Sequence, residues 1–491
     1  MTKRIRMFIN GEWEHSTSKE ERDIFNPYNQ EIIAIASEGG VIDARKAIEV
    51  ARSAFDSGIW SDISIEERCS VVENISNLIK RNKEELAYLE TLDTGKTLDE
   101  SRTDMEDISN VFLYYSKLGM KNDEKVISSP IADSSSRVIK EPVGVCGLIT
   151  PWNYPLLQAS WKLAPALVAG NTLILKPSEL TPLTSAKMFE LIEEARVPDG
   201  VANLVLGSGS VVGSELSVHS DVDLISFTGG IETGRKIMQS ASKNMKKIAF
   251  ELGGKNPNVI FADADMETAV DQAMNAVFFH AGQVCSAGTR LIVEESAHDY
   301  FVKELTERVK RIKLGNGLDH STQMGPLISK EHLNKVIRYV EKGKQEGATV
   351  AIGGEIPTSS DSKEGFFYLP TILTDCVSDM HVVQQEGFGP VITVEKFSKE
   401  KEAIRLANDS VYGLSGGVFT TDIKKAERMV KKMRMGTVWI NDVNLYFPEA
   451  PWGGYKQSGI GRELGEMGLD EYTETKHIFH NLNPKPVNWF A

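Results

Sequence analysis

Cysteine is scarce in this chain. Four occur in 491 residues, at positions 69, 146, 285 and 376, and no two form a CxxC pair. That spacing speaks against a zinc ribbon or a disulfide framework. It fits a reducing compartment, and a cytoplasmic location is expected. Long apolar runs are missing too: none approaches the roughly 20 residues of a membrane span. The opening Met1-Thr2-Lys3-Arg4-Ile5-Arg6 is basic, but Phe8-Ile9-Asn10-Gly11-Glu12-Trp13 provides no apolar core behind it, so it does not read as a secretory signal. No internal repeat or low-complexity segment stands out. Positive charge is in deficit, with 55 Lys and Arg against 69 Asp and Glu and a net charge of −14. This argues against nucleic acid or an anionic membrane as the main partner and mildly favours a cationic ligand.

What is present is the make-up of an ordinary globular protein, 41% hydrophobic and 25% charged. At this length two or more domains are expected. Residues 42–118 read as helices, with Ile65, Cys69, Val72, Ile75 and Ile79 at helical spacing and a break at Leu92-Asp93-Thr94-Gly95-Lys96. From 143 the pattern alternates. Strands are expected at 143–149, 172–175, 203–206, 224–227 and 248–250, with helices from 155 and over 182–196, 210–218 and 231–243. Alternation of this kind implies a parallel sheet covered by helices, with right-handed connections. A second alternating series, with strands near 259–261, 291–294, 391–394, 417–419 and 438–440, forms a second α/β unit. The segments 121–141 and 470–491 are expected to make a small sheet used for oligomer contacts, and the aromatic end Trp489-Phe490 to dock on something.

Three residues carry candidate chemistry. A free cysteine is usually a small buried hydrophobe, and Cys69, Cys146 and Cys376 sit in apolar contexts that fit this. Cys285 lies instead in Phe279-His280-Ala281-Gly282-Gln283-Val284-Cys285-Ser286-Ala287-Gly288. The small residues let a ligand approach the sulfur, and the loop can aim backbone N–H groups at a substrate oxygen. A thiolate adds to an aldehyde to give a thiohemiacetal, which can lose hydride. Glu251 ends an apolar strand just before Gly253-Gly254. It is either a solvated strand end or a desolvated general base. Asn153, in Thr150-Pro151-Trp152-Asn153-Tyr154-Pro155, is either an N-cap or an amide donor to an oxyanion. The stretch Gly207–Gly213 is glycine-rich and opens a helix, as a phosphate site does, but it lacks GxGxxG.

Five segments in order, Pro151-Trp152-Asn153, Lys176-Pro177-Ser178-Glu179, Phe227-Thr228-Gly229-Gly230, Phe250-Glu251-Leu252-Gly253-Gly254-Lys255 and Gly282-Gln283-Val284-Cys285, resemble the aldehyde dehydrogenase family. Glu386-Gly387-Phe388-Gly389-Pro390 and Pro451-Trp452-Gly453-Gly454-Tyr455-Lys456 agree, so the resemblance spans nearly the whole chain. It implies an α/β fold: a Rossmann-type NAD domain (1–120 and 142–252), a second α/β catalytic domain (253–455) and a small β oligomerisation element (121–141 and 470–491). It implies Cys285 as nucleophile, Asn153 with the Cys285 N–H as oxyanion hole, Glu251 as the activator of water, and Lys162 and Glu463 in proton movement or support. It implies NAD held by Ile149, Trp152, Lys176, Glu179, Gly209, Gly213, Phe227, Gly229, Gly230, Thr233, Leu252, Glu386 and Phe388. Glu179 accepts from a free 2′-hydroxyl and repels a 2′-phosphate, so NAD is favoured over NADP. A monovalent cation, K+, is implied near Asp93, and a homodimer or homotetramer as the assembly. Gly230 stands where the family usually has Ser, and Gly387 where it usually has a larger residue, often Val. Both are expected to loosen the cofactor site.

The aldehyde pocket is expected to draw on Tyr154, Trp161, Phe279, Tyr446 and Trp452. Tyr154, Trp161 and Trp452 resemble the pocket of the betaine aldehyde dehydrogenases within the family. Trimethylammonium has no conventional N–H donor, so ring faces hold it best. This implies betaine aldehyde as substrate, with other ω-aminoaldehydes or small aliphatic aldehydes as the alternative. A CoA-acylating enzyme would tend to lack Glu251, and a purely structural role has no use for Cys285, Glu251 and Asn153 together.

Overall fold

The computed structural model describes residues 3–121, 124–358 and 364–490. Two large sheets organise it. The first has eight strands. Its five central ones are parallel, in the spatial order Lys247–Leu252, Leu224–Gly229, Val145–Ile149, Thr172–Lys176, Ala202–Leu204. Counted along the chain this is 5-4-1-2-3. The order reverses between strands Val145–Ile149 and Leu224–Gly229, so a crevice opens beyond their carboxyl ends, where doubly wound sheets bind dinucleotides.

Local chemistry explains these elements. The strands are short apolar runs buried on both faces, as a helix-covered parallel sheet demands. Helix Pro155–Ala169 begins with proline at its first turn, where a missing N–H costs nothing, and ends at Gly170 with φ 93°. It is buried on every side, so it packs as a core rod carrying Lys162 inside. In the helical 41–119 region, Ser64 with Glu67 and Thr97 with Glu100 form capping boxes, and Gly95 (φ 80°) closes the helix Lys83–Thr94.

The edges of this sheet were not expected. A hairpin, Met7–Ile9 and Glu12–Glu14, joins antiparallel beside Ala202–Leu204, and Gly459–Ile460 pairs with Lys247–Leu252 from the other side. The hairpin turns at Asn10 (φ 55°) and Gly11 (φ 78°). Asn-Gly favours this turn because both residues adopt positive φ at low cost.

The second sheet has seven strands, in the order Thr349–Ile352, Thr371–Thr374, Val391–Phe397, Arg290–Glu294, Pro257–Ile260, Ser415–Phe419, Thr437–Ile440, parallel except for the first. Strand Thr349–Ile352 lies outside the sequence expectation, whereas Thr371–Thr374 ends where a strand was expected, just before Asp375 and Cys376. The small sheet is three-stranded: Thr473–Asn481 pairs along its length with Ser134–Pro142, which pairs with Lys125–Val126. Residues 122–123 of that region and residue 491 lie outside the described part. The aromatic end does not dock on its own chain: Trp489 is 81% exposed and Phe490 98%. Lys3–Ile5, Ile32–Ser37 and Glu21–Phe25 form a further three-stranded sheet. No helix among the described residues is long and apolar enough to cross a membrane.

Candidate active site

Two adjoining cavities occupy the crevice. The larger, about 580 Å³, is lined by Ile149, Trp152, Lys176, Glu179, Gly209, Gly213, Phe227, Gly229, Gly230 and Thr233 among others. The smaller, about 240 Å³, shares Trp152, Gly229 and Gly230 with it and adds Asn153, Glu251, Leu252, Cys285, Glu386 and Phe388. The expected cofactor residues and the candidate nucleophile, base and amide therefore line one continuous space. His332, Lys335 and Gln158 line it as well and were not foreseen.

The thiol loop is strained into place. His280, Ala281 and Gly282 all have positive φ (46°, 52° and 74°). The two non-glycine residues cost about 1–3 kcal/mol each in that region. A Cβ at Gly282 would stand 2.1 Å from the Gly389 carbonyl oxygen, so only glycine fits there. The capping residue Glu100 accepts the His280 N–H at 2.7 Å, and Asn153 donates from Nδ2 to the Gln283 carbonyl at 2.8 Å. Asn256 donates to the carbonyls of Cys285 and Ala287 at 2.8 and 3.0 Å. Its role could not be read from the sequence, since it acts on a loop 29 residues away. Cys285 is the one cysteine with partial exposure; the other three are buried. Burial, then the charges of Glu251 and Glu386, push its thiol up to about 12, against the pull of the Ser286 and Cys285 N–H groups.

Glu251 is 4% exposed, and neither carboxyl oxygen has a hydrogen-bond partner among the described residues. Burial and the nearby Glu463 push its pKa up to about 8, opposed by Lys162 and Arg462. Gly453 gives it room: a Cβ there would be 2.9 Å from Oε1. Lys162 and Glu463 form a fully buried ion pair, and Ser226 donates to the same carboxylate oxygen at 3.2 Å. Glu463 is also tied to Trp452 by paired backbone hydrogen bonds of 2.7 and 2.8 Å.

At the cofactor end, Lys176 holds Glu179 at 2.9 Å. Burial raises the Glu179 pKa, but Lys176 and Arg22 outweigh it and leave it below the usual carboxylate value. Glu179 is thus a fixed anion at the end of the crevice away from Cys285. Glu386 accepts from the Gly254 N–H at 2.9 Å. Trp152 packs edge-on to Phe388 and His332, with ring centres 5.3 and 5.1 Å apart. At Gly230 a Cβ would meet nothing within 4 Å, so the missing side chain does leave open space. At Gly387 the expectation of a looser site is wrong: the Tyr339 ring fills the volume, 2.7 Å from where a Cβ would stand.

None of the five aromatic residues expected in the aldehyde pocket lines either of these cavities. Trp161, Tyr446 and Trp452 contact one another edge to face with centres 5.4–6.2 Å apart, and half-buried Trp439, unforeseen, joins Trp452 at 6.2 Å. Tyr446 donates to Asp107 at 2.6 Å. Tyr154 stacks edge-on to His280 at 5.5 Å, and Lys96 lies 4.1 Å above its ring. Phe279 is 39% exposed and makes no ring contact with this group among the described residues. Asp93 is fully buried; Oδ2 accepts the Leu183 N–H, and Oδ1 has no hydrogen-bond partner among the described residues.

The profile of the aldehyde dehydrogenase family matches residues 13–478. The chain belongs to that family. Among aldehyde dehydrogenases it is 63% identical to the betaine aldehyde dehydrogenase of Bacillus subtilis, over 99% of both chains. It is 41% identical to the peroxisomal aminoaldehyde dehydrogenase 2 of Pisum sativum, over 99% of this chain and 97% of that one. The crystal structure of betaine aldehyde dehydrogenase from Staphylococcus aureus in complex with NAD+ superposes with a TM-score of 0.98 at 58% identity, covering 99% of this chain and 97% of that one.

Proposed function

We propose that this aldehyde dehydrogenase oxidises betaine aldehyde to glycine betaine, using NAD+ and water, through a thioester on Cys285. The observation that carries the substrate is the ring cluster of Trp161, Tyr446 and Trp452, with Trp452 near Glu251 and Tyr154 near both Cys285 and Tyr446. Bound NAD+ supplies a hydride acceptor. The continuous crevice, with Gly230 open and Lys176 and Glu179 at its far end, fits such a dinucleotide.

The residues divide the work. Cys285 attacks the aldehyde carbon, and its proton leaves to solvent. The Asn153 amide and the Cys285 N–H hold the developing oxyanion. After oxidation the acyl group remains as a thioester. Glu251 takes a proton from water, which attacks the thioester; the acid leaves and the thiol is restored. Lys162 and Glu463 hold the backbone pairing on which Trp452 and the space around Glu251 depend. Asp93 would hold a monovalent cation through Oδ1. The sheet of Lys125–Val126, Ser134–Pro142 and Thr473–Asn481 carries association into a homodimer or homotetramer.

The substrate is tested with an isosteric pair, betaine aldehyde and 3,3-dimethylbutanal, which differ in the charge of the central atom. Wild-type enzyme should prefer the cation. Trp452→Ala or Trp161→Ala should lower kcat/KM for betaine aldehyde about 10-fold more than for the neutral aldehyde, within the ~0.5–2 kcal/mol of one ring–cation contact. Equal losses, or no preference in the wild type, refute the aromatic box.

Cofactor choice is tested at Glu179. Glu179→Gln removes the anion that a 2′-phosphate would meet, so kcat/KM for NADP+ should rise about tenfold relative to NAD+. An unchanged ratio would remove Glu179 from ribose recognition.

A further inference from the structure

Helix Lys330–Gln345 presents His332, Val336 and Tyr339 at i, i+4 and i+7, one face. That face underlies the turn Glu386-Gly387-Phe388-Gly389. The His332 ring contacts the Phe388 carbonyl through Nε2 at 2.6 Å. Burial pushes its pKa down to about 4, so the ring is neutral and donates there. Val336 fills the space beside Gly389, 2.6 Å from where a Cβ would stand.

Tyr339 makes the most extensive contact. It is 5% exposed. Its hydroxyl reaches the carbonyls of Val382 at 2.5 Å and Gln385 at 3.1 Å, and accepts from Lys255 Nζ at 2.9 Å. Its ring lies beneath Gly387: a Cβ there would be 2.7 Å from Cε1 and 3.0 Å from Cδ1 and Cζ, far inside the ~3.5–4.0 Å of carbon contact. Hydroxyl and ring together touch the chain from 382 to 387.

Lys255 links this to the chamber. It is 2% exposed, a position where an amine is costly to keep unless it is hydrogen-bonded. The residue before it, Gly254, donates its N–H to Glu386 Oε1. One strand end therefore holds the Glu386 carboxylate directly and braces Tyr339 from below.

We propose that Tyr339, braced by Lys255, is the positioning residue for Glu386: its ring takes the volume a side chain at 387 would need, and its hydroxyl fixes the carbonyls of 382 and 385. This rests on the reading that Glu386 is one of the residues that hold NAD. Glycine at 387 and tyrosine at 339 are then a matched pair, and a larger residue at 387 requires a smaller one at 339.

The test is the Kd for NAD+ with no aldehyde present, from quenching of intrinsic tryptophan fluorescence. Gly387→Val should raise Kd at least about tenfold, and adding Tyr339→Ala should bring it back to within about threefold of wild type. Tyr339→Phe, which removes one oxygen and keeps the ring, should raise KM for NAD+ about threefold with kcat nearly unchanged. It remains informative if Gly387→Val does not fold. Wild-type affinity in Gly387→Val, a double variant no tighter than Gly387→Val, or an unchanged KM in Tyr339→Phe overturns the proposal. Glu386→Gln separates the two levels. Weakened binding there, with normal binding in Gly387→Val, removes the role of Tyr339 alone. Unchanged binding in Glu386→Gln removes the assignment of Glu386 on which it rests.

Discussion

Cys285→Ala should lower kcat by at least ~10⁴-fold, the scale seen when a covalent nucleophile is deleted, while NAD+ affinity stays within about twofold of wild type. The separation follows from the geometry. The sulfur faces the smaller cavity only, whereas most of the expected cofactor residues line the larger one. Stopped-flow absorbance should show no NADH burst. A second readout concerns the thiol itself. With its pKa held up by burial and two carboxylates, iodoacetamide should alkylate the enzyme at pH 7 more slowly than an ordinary thiol of pKa about 8.5. A burst in Cys285→Ala would end the thioester mechanism; fast alkylation in the wild type would show that the sulfur is less enclosed than its surroundings indicate.

The five parallel strands of the first sheet were legible because each is a short apolar run between helices of ordinary length. A strand buried on both faces leaves that trace. The edges were not. Glu12–Glu14 and Gly459–Ile460 are short, and neither is an apolar run. The Asn10-Gly11 turn was nonetheless a usable hairpin signal. Thr349–Ile352 is only four residues long, too short for periodicity to show.

For the site, the residues brought together were those whose local context was already unusual: a cysteine among small residues, a glutamate before two glycines, an asparagine at a strand-to-helix turn. Residues that act across long sequence distances left no such trace. Asn256 works on Cys285, His332 on Phe388, and Tyr339 on 382–387. Each looks locally like a strand end or a helix face. Gly387 shows the other side of this: a missing side chain reads as a gap until the ring that fills it is seen.

Glu251→Gln should slow thioester hydrolysis by ~10²–10⁴-fold, the usual weight of a general base, and leave a burst of about one NADH per site, because the base is needed after oxidation rather than before. The pH dependence identifies the group. Only the carboxylate can take a proton from water. With a pKa near 8, the competent fraction at pH 7 is about one-tenth, so hydrolysis-limited kcat should rise roughly tenfold per pH unit below 8 and level off above it. Glutamine cannot titrate, so the slope should vanish in the variant. Stability carries the opposite sign. The folded state holds this group protonated, an advantage fully present below the unfolded pKa of about 4.5 and lost as pH rises through about 8. Relative to wild type, Glu251→Gln should therefore gain Tm between pH 5 and 8, even as it loses activity. A pH-independent kcat in the wild type, with no such divergence in Tm, would mean that Glu251 is already ionised, stabilised by Lys162 and Arg462 more strongly than burial opposes it, and a different group would then have to account for the hydrolysis.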